Sequence, residues 1–278
     1  MMKNILSIDL ESWIHFYKSA LSPKNFGLTS HDRKILDDGY TNIATSKILS
    51  LLEKYNQKAT FFVVGELYDW YPEVIEEIKK MGHEIGYHTH NHPILYNGQI
   101  LEGEIKQSRN FINRFKPIGF RAPQIYITPD SMLYLKKSGF KYSSSTYDDY
   151  KIRDISGIDE IPVSAISFRK KSNEELPKNL KLKMLFKQIP FGSGLFISIL
   201  GSKTSYFINY LNRRDIPAIL FIHPWQVHMP KKLNSIYFKM RILFNRPLCL
   251  PYTINVFKTM EKLLKNHEFT SFKEYYYK

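Results

Sequence analysis

The sequence predicts an α/β barrel-like domain, and three observations predict it. Strand-like and helix-like segments alternate along the chain, the pattern of a parallel sheet wrapped by helices. The strand-like segments are short, and the clearest of them, ATFFVV at 59–64, is an unbroken apolar run of the kind buried on both faces. Acidic, histidine and arginine side chains stand where several of these segments end, which is where barrel active sites gather.

Residues 5–10 form a short apolar run that ends in acid. Residues 43–55 carry apolar side chains at helical spacing, and the strand at 59–64 is closed by Gly65. Pro72 opens a helix over 73–81, with acids early, lysines late and Gly82 beyond its end. Residues 84–87 read as the next strand and lead into HTHNHP. A helix follows around 99–115, then a short strand at 118–121. Thr128, Pro129 and Asp130 are a cap-plus-proline helix start, and Gly139 stops that helix. Residues 140–144, 158–163 and 216–222 read as further strands. Between about 164 and 214 the pattern loosens into lysine-rich and glycine-rich pieces, read as an insertion between core strands. With no internal repeat and no low-complexity linker, residues 1–278 read as a single domain that ends in a basic helical extension from about 229.

Composition narrows the class without choosing the activity. A chain of 278 residues, 43% hydrophobic and 24% charged, suits a soluble globular fold with a large core. Its 19 Tyr and 19 Phe fit either a well-packed barrel or a carbohydrate-facing groove. The net charge of +14 suits an anionic partner such as an acidic glycan or the inner face of a membrane, or simply a lysine-rich surface. The basic and aromatic signatures of an RNA-binding module are missing, so no nucleic-acid partner is expected. Cys249 is the single cysteine, which excludes an internal disulfide framework. Residues 1–10 lack the apolar run and cleavage site of a signal peptide, and no stretch reaches the ~20 apolar residues of a membrane span. The expected location is therefore cytoplasmic.

The strongest chemical signal is His88-Thr89-His90-Asn91-His92. Two histidines four apart can point at one metal ion, and a carboxylate from elsewhere completes an open three-ligand site. Alone, such a cluster is equally a polar loop. Its setting, directly after a strand, favours the metal. Asp9 and Glu11 close the first strand at alternate positions, so both leave it on the same side. Arg121 and His223 also fall at strand ends. Acid, base and cation converging from distant segments is the constellation of a hydrolase. Around it, His90 suits a groove or supporting position. His15, Trp13 and Tyr87 suit either a cleft wall or the core. Trp225, beside His223, suits sugar stacking or packing. His228 reads as a surface residue.

At these residues the sequence becomes recognisable. The run KATFFVVGELYDWYPEVIEEIKKMGHEIGYHTHNHP at 58–93, followed in order by FRAP at 120–123 and LFIHPW at 220–225, closely resembles the polysaccharide deacetylase family, the NodB-homology, family-4 carbohydrate esterase type. GFKYSSS at 139–145, EIPVS at 160–164 and PFGSGLF at 190–196 resemble the subgroup linked to exopolysaccharide biosynthesis. Together these motifs cover most of residues 4–228.

The resemblance implies a distorted (β/α) barrel with about seven parallel strands. It implies a hydrolase that removes an acetyl group from an N-acetylhexosamine-containing saccharide during surface polysaccharide synthesis. By motif, Glu11, His88 and His92 hold one divalent metal, with zinc the first choice for two imidazoles and a carboxylate. Asp9 is the general base, Arg121 holds it ionised, His223 is the general acid, and Thr89 braces the histidine loop. Trp225, Tyr87 and Pro123 fall to the substrate side. The expected partner is an N-acetylated saccharide, lipid-linked on the cytoplasmic side. The basic stretch 231–265 reads either as a docking surface for an anionic membrane or as a helical cover whose lysines face water. Two other readings stay in view: an amidohydrolase acting on a small non-sugar amide, and a catalytically weak carbohydrate-binding barrel.

One motif competes. Ile35-Leu36-Asp37-Asp38-Gly39-Tyr40 resembles the family's commoner first motif, a Phe-Asp-Asp-Gly run, and would move the base to Asp38. Residues 5–10 make a better buried strand than 31–34, and the subgroup uses an Asp-x-Glu form, which favours Asp9 and Glu11. Other departures from the family pattern are a Glu as metal carboxylate, Gln124, and Gln226 in place of an acid. The acid that tethers the catalytic histidine in the family has no clear match, although Asp148 and Asp149 lie nearby.

Overall fold

The computed structural model describes residues 2–16, 27–149, 151–168 and 188–278. Part of the loosened stretch expected between 164 and 214 therefore lies outside the described residues. Strands β1 (Lys3–Leu10), β2 (Thr60–Val63), β3 (Glu84–Tyr87), β4 (Gly119–Phe120) and β5 (Tyr142–Ser143) run parallel, side by side. Then come β6 (Tyr147–Asp148), β7 (Arg153–Ile155), β8 (Ile158–Glu160), β9 (Val163–Ser164), β10 (Ile166–Ser167), β11 (Gln188–Ile189), β12 (Ile219–Ile222) and β13 (Glu268–Thr270). The main sheet runs β12-β1-β2-β3-β4-β5-β8-β7, and β13 pairs with the start of β1. From β12 to β8 all seven strands run parallel; only β7 turns antiparallel at the edge. The result is a curled half-barrel.

Alternation along β2 explains how the strands are covered. Phe61 and Val63 face the helices and share a core with Ile75, Ile78, Leu101 and Leu135. Phe62, between them, points inward and packs with Ile5, Tyr142, Ile219 and Phe272. Both faces are buried, so an unbroken apolar run is what such a strand requires. Truncating Phe61 or Phe62 to Ala costs about 3–5 kcal/mol on this account.

The helices largely follow their punctuation. Pro72–Lys80 has proline in its first turn and Lys79 and Lys80 in its last, and it buries Ile75 and Ile78. Two departures have clear causes. The expected helix over 99–115 is two helices, Gly98–Gln107 and Arg109–Phe115, with an elbow at Ser108 whose hydroxyl accepts from the Tyr87 hydroxyl at 3.1 Å. Gly65 starts a short helix, Gly65–Trp70, instead of only closing a strand; a Cβ there would lie 2.1 Å from Ser108 Oγ.

Opposite β1, the ring is joined without a ladder. Phe221 N–H donates to Gly192 O at 2.8 Å, Gly192 N–H to Ser164 O at 2.9 Å, and Ile219 N–H to Ser164 Oγ at 2.8 Å. The helices Gly194–Leu200 and Thr204–Asn212 then set Ile197, Ile208 and Leu211 into the main core on the way to β12.

Candidate active site

Each chemical side chain sits at the carboxyl end of a parallel strand. His223 follows β12, Asp9 and Glu11 close β1, His88 follows β3 and Arg121 follows β4. The strand order sets these ends in a row, and Asp9, Glu11 and His223, with His92 from the loop after β3, line one cavity of about 510 Å³.

Glu11 is the centre. Its Oε1 lies 3.2 Å from His88 Nε2, 3.1 Å from His92 Nε2 and 3.6 Å from His223 Nε2, and all four residues are buried or nearly so. His88 Nδ1 is 2.7 Å from Arg121 O, so that nitrogen carries the proton in the neutral ring and Nε2 is left as a lone pair. His92 Nε2 is buried and has no hydrogen bond among the described residues, although it lies 3.1 Å from the carboxylate. One oxygen ringed by imidazole lone pairs is a poor hydrogen-bond site and a good ligand set. Glu11, His88 and His92 offer ligand atoms within 4.8 Å of one another, a donor set that fits a divalent cation. Burial pushes the Glu11 carboxyl up, but His92 and His88 outweigh it and hold the group well below the usual carboxylate range. Burial likewise drives His92 down, only partly offset by Glu11, which favours the neutral imidazole that a metal needs.

Asp9 Oδ1 accepts from Arg121 Nη1 at 2.7 Å. The guanidinium is fully buried and otherwise held by Ser7 Oγ at 2.7 Å and by Ser144 O and Oγ, both at 2.8 Å. It lies over the Phe62 and Phe221 rings, 4.4 and 5.0 Å from their centroids. A charge so fully bound has one orientation, and it fixes Asp9 at the cavity wall.

His223 is tethered by Gln226, which the sequence marks only as a departure from the family pattern. Gln226 Oε1 accepts from His223 N at 3.0 Å and faces His223 Nδ1 at 3.1 Å, while Gln226 Nε2 donates to Gly194 O and Ser198 Oγ at 2.8 Å each. Those two acceptors settle which end of the amide faces His223, so Nδ1 is the donor and Nε2 is turned to Glu11. The signal was present in His223-Pro224-Trp225-Gln226, a capping box with proline in the first turn of Pro224–Val227. The glycine-rich motif serves the same end: a Cβ at Gly194 would lie 2.4 Å from Gln226 Oε1. Asp148 instead pairs with Arg153.

The histidine loop is strained and braced. Thr89 and His92 have φ of 63° and 59°, the left-handed region that costs a non-glycine residue roughly 1–3 kcal/mol. Glu104 accepts from the backbone N–H of His90 and Asn91 at 2.7 and 2.6 Å, and Thr89 Oγ1 bonds His88 O at 2.5 Å. Behind the loop, Glu66 accepts from His15 Nε2 at 2.7 Å, from Arg33 Nε and Nη2 at 2.9 and 2.6 Å, and from Ser30 Oγ at 2.9 Å. Glu66 stands in the short helix that follows β2, and Glu104 stands on a helix where no strand-end rule points to it.

Three residues expected on the substrate side are placed otherwise. Tyr87 is fully buried against Phe111, Phe120 and Phe140, with its hydroxyl on Glu104 O at 2.7 Å, because the alternation of β3 turns it to the helix layer. Pro123 is buried beside the cavity, whose wall is made instead by Gln124 and Ile125. Trp225 does line the cavity, but His223 and Phe16 stack on it and only 1% of it is exposed, so no ring face is left for a sugar. His90 turns to Ser108 Oγ at 3.0 Å. The competing first motif is helical: Asp37 accepts from Thr41 N–H and from the hydroxyls of Thr41 and Ser12, and Asp38 is an exposed helix C-cap.

Residues 35–143 match the family model described as polysaccharide deacetylase. Over that stretch the chain resembles the polysaccharide deacetylase family. Residues 144–277 match a second model, described as a domain of unknown function. The deacetylase match begins inside the competing motif, so Asp9 and Glu11 precede it; their place at the end of β1 is read from the geometry alone. The chain is 34% identical over 109 residues to a peptidoglycan-N-acetylglucosamine deacetylase of Bacillus cereus, covering 38% of this chain and 51% of that protein. It is 36% identical over 75 residues to a chitooligosaccharide deacetylase of Bradyrhizobium sp., covering 26% of this chain and 34% of that protein. The chain spans about half the length of the first curated relatives it matches. A structure from Mycobacterium smegmatis, assigned as a polysaccharide deacetylase, superposes with a TM-score of 0.57 over 92% of this chain and 88% of that one; at 14% identity the likeness is one of fold. Among the described residues, no helix is long and apolar enough to cross a membrane.

Proposed function

We propose that this chain is a metal-dependent de-N-acetylase that hydrolyses an acetamido group on an N-acetylhexosamine-containing saccharide in surface polysaccharide synthesis. The observation that carries the reading is the buried Glu11 carboxylate, ringed by imidazole nitrogens, with the Asp9–Arg121 pair at the same cavity. The relatives' activities on peptidoglycan and chitooligosaccharide support a sugar acetamide as the substrate class.

Glu11, His88 and His92 would hold the ion, and two imidazoles with one carboxylate favour zinc. Bound there, a divalent ion would supply Lewis acidity towards the acetamide carbonyl and a water. Asp9 takes a proton from the attacking water as its oxygen adds to the carbonyl carbon; Arg121 occupies Oδ1 and leaves Oδ2 for the task. His223, fixed through Nδ1 by Gln226, gives a proton from Nε2 to the nitrogen as the C–N bond breaks. Acetate and a free amine leave. The apolar wall made by Leu195, Leu248 and Tyr252 supports the finer reading of a saccharide on a lipid carrier, met at the inner face of the membrane.

Acetate release from N-acetylated oligosaccharides and small amides, with elemental analysis of the protein, tests the reading. His88→Ala and His92→Ala are expected to lose both ion and turnover while staying folded. Undiminished metal in both would remove the ligand assignment, and acetate from small amides alone would favour the amidohydrolase.

A further inference from the structure

The helix Ile236–Asn245 is apolar on more than one side. Phe238 and Ile242 pack inward, and the outward face carries Ile236, Tyr237, Met240, Leu243 and Phe244 at i, i+1, i+4, i+7 and i+8. Ile236 is 76% and Phe244 79% exposed among the described residues. Five large apolar side chains in one stripe exceed the scatter normal on a protein surface and mark a face that meets something.

Charge decides what it meets. Between Asp215 and Glu261 the sequence has no acidic residue, while Lys231, Lys232, Lys239, Arg241 and Arg246 flank the stripe. Two copies meeting through this face would set these cations against their own counterparts with no acid to pair them, in a chain of net charge +14. An anionic lipid surface offers both halves of the complement, acyl chains for the stripe and phosphate for the cations. Position adds a third argument. The segment directly after the helix, Pro247–Thr253, contributes Pro247 and Leu248 to the cavity wall, so stripe and cleft belong to one continuous piece of chain.

We propose that the Ile236–Phe244 face docks on an anionic membrane surface and presents the cleft to a saccharide carried on lipid. This deepens the function proposed above and rests on its lipid-carrier reading.

The test is flotation of the full chain with vesicles of phosphatidylcholine and phosphatidylglycerol, against phosphatidylcholine alone, at low and high salt. Binding is expected only on the anionic vesicles and is lost at high salt. The pair Ile236→Ser and Phe244→Ser lowers partitioning roughly ten-fold or more. Lys231→Gln, Lys239→Gln and Arg241→Gln together lower it roughly five-fold per charge removed. Acetate release from a soluble N-acetylated oligosaccharide, measured on the same variants without vesicles, is expected to stay unchanged and reports that they are folded. No flotation at low salt, or equal flotation on neutral vesicles, overturns the docking; so does a dimer in sedimentation that Phe244→Ser disperses, which would give the face to a second copy. If flotation fails while soluble turnover persists, docking alone has failed. Flotation without turnover on any sugar strikes the deacetylase reading and leaves the surface standing.

Discussion

Glu11 and Glu66 follow neighbouring strands, β1 and β2, and both lie in the interior, yet their surroundings differ. Both oxygens of Glu66 are filled by His15, Arg33 and Ser30 with donors that have protons to give. Glu11 Oε1 is instead crowded by ring nitrogens, of which that of His88 has no proton to spare in the neutral ring and that of His92 makes no hydrogen bond among the described residues. In a buried setting an oxygen completed by the protein serves the fold, and one left incomplete by it awaits a ligand. Substitutions at the incomplete cluster should therefore change rate, and those at the completed one stability.

The largest expected effect tests that division at the cluster. Asp9→Asn should lower turnover roughly 10²–10⁴-fold with metal content retained, whereas Asp38→Asn should leave steady-state rates nearly unchanged. The reverse pattern would return the first motif to residues 35–40. Arg121→Met crosses the division, because it strips a buried carboxylate of its partner. A loss of about 3–5 kcal/mol by denaturant titration is expected; a loss under about 1 kcal/mol would mean that water readily replaces the guanidinium.

The completed network has its own signature in acid. Burial raises Glu66, but His15 and Arg33 more than reverse this and bring it to about 2 from the ordinary 4.5. Because the folded value lies below the unfolded one, the stabilisation is fully present above about pH 4.5 and is lost as pH falls towards 2. At about 1.4 kcal/mol per unit this amounts to about 3 kcal/mol. Unfolding midpoints measured across that window should be flatter for Glu66→Gln than for the parent; parallel curves would contradict the assignment. Smallest is the tether: Gln226→Ala should cost roughly ten-fold in kcat with little change in KM, and Gln226→Glu should recover part of it. An unchanged kcat would mean that packing on Trp225 alone holds His223.

Much of the site was legible because a parallel sheet converts sequence order into spatial order. Asp9, Glu11, His88, Arg121 and His223 each end an apolar run, so their convergence could be expected without any contact being known. Residues on helices escaped, since Glu104 and Ser108 reach the histidine loop through tertiary packing that no local period encodes. Tyr87 was misread because alternation along β3 gives two faces without saying which one meets the cleft. The left-handed backbone of Thr89, His92, Gln124 and Ile125 carries no glycine to announce it.

The join opposite β1 has a further consequence. Where other barrel neighbours share a ladder, β12 meets the rest of the ring through Gly192 and Ser164, and a Cβ at Gly192 would lie 2.3 Å from Ile219 O. Any side chain there unfastens the ring and turns β12 into an open strand edge, with free N–H and C=O groups that invite pairing with other chains. The damage would surface first as aggregation during expression, before any assay of turnover could register the displaced His223.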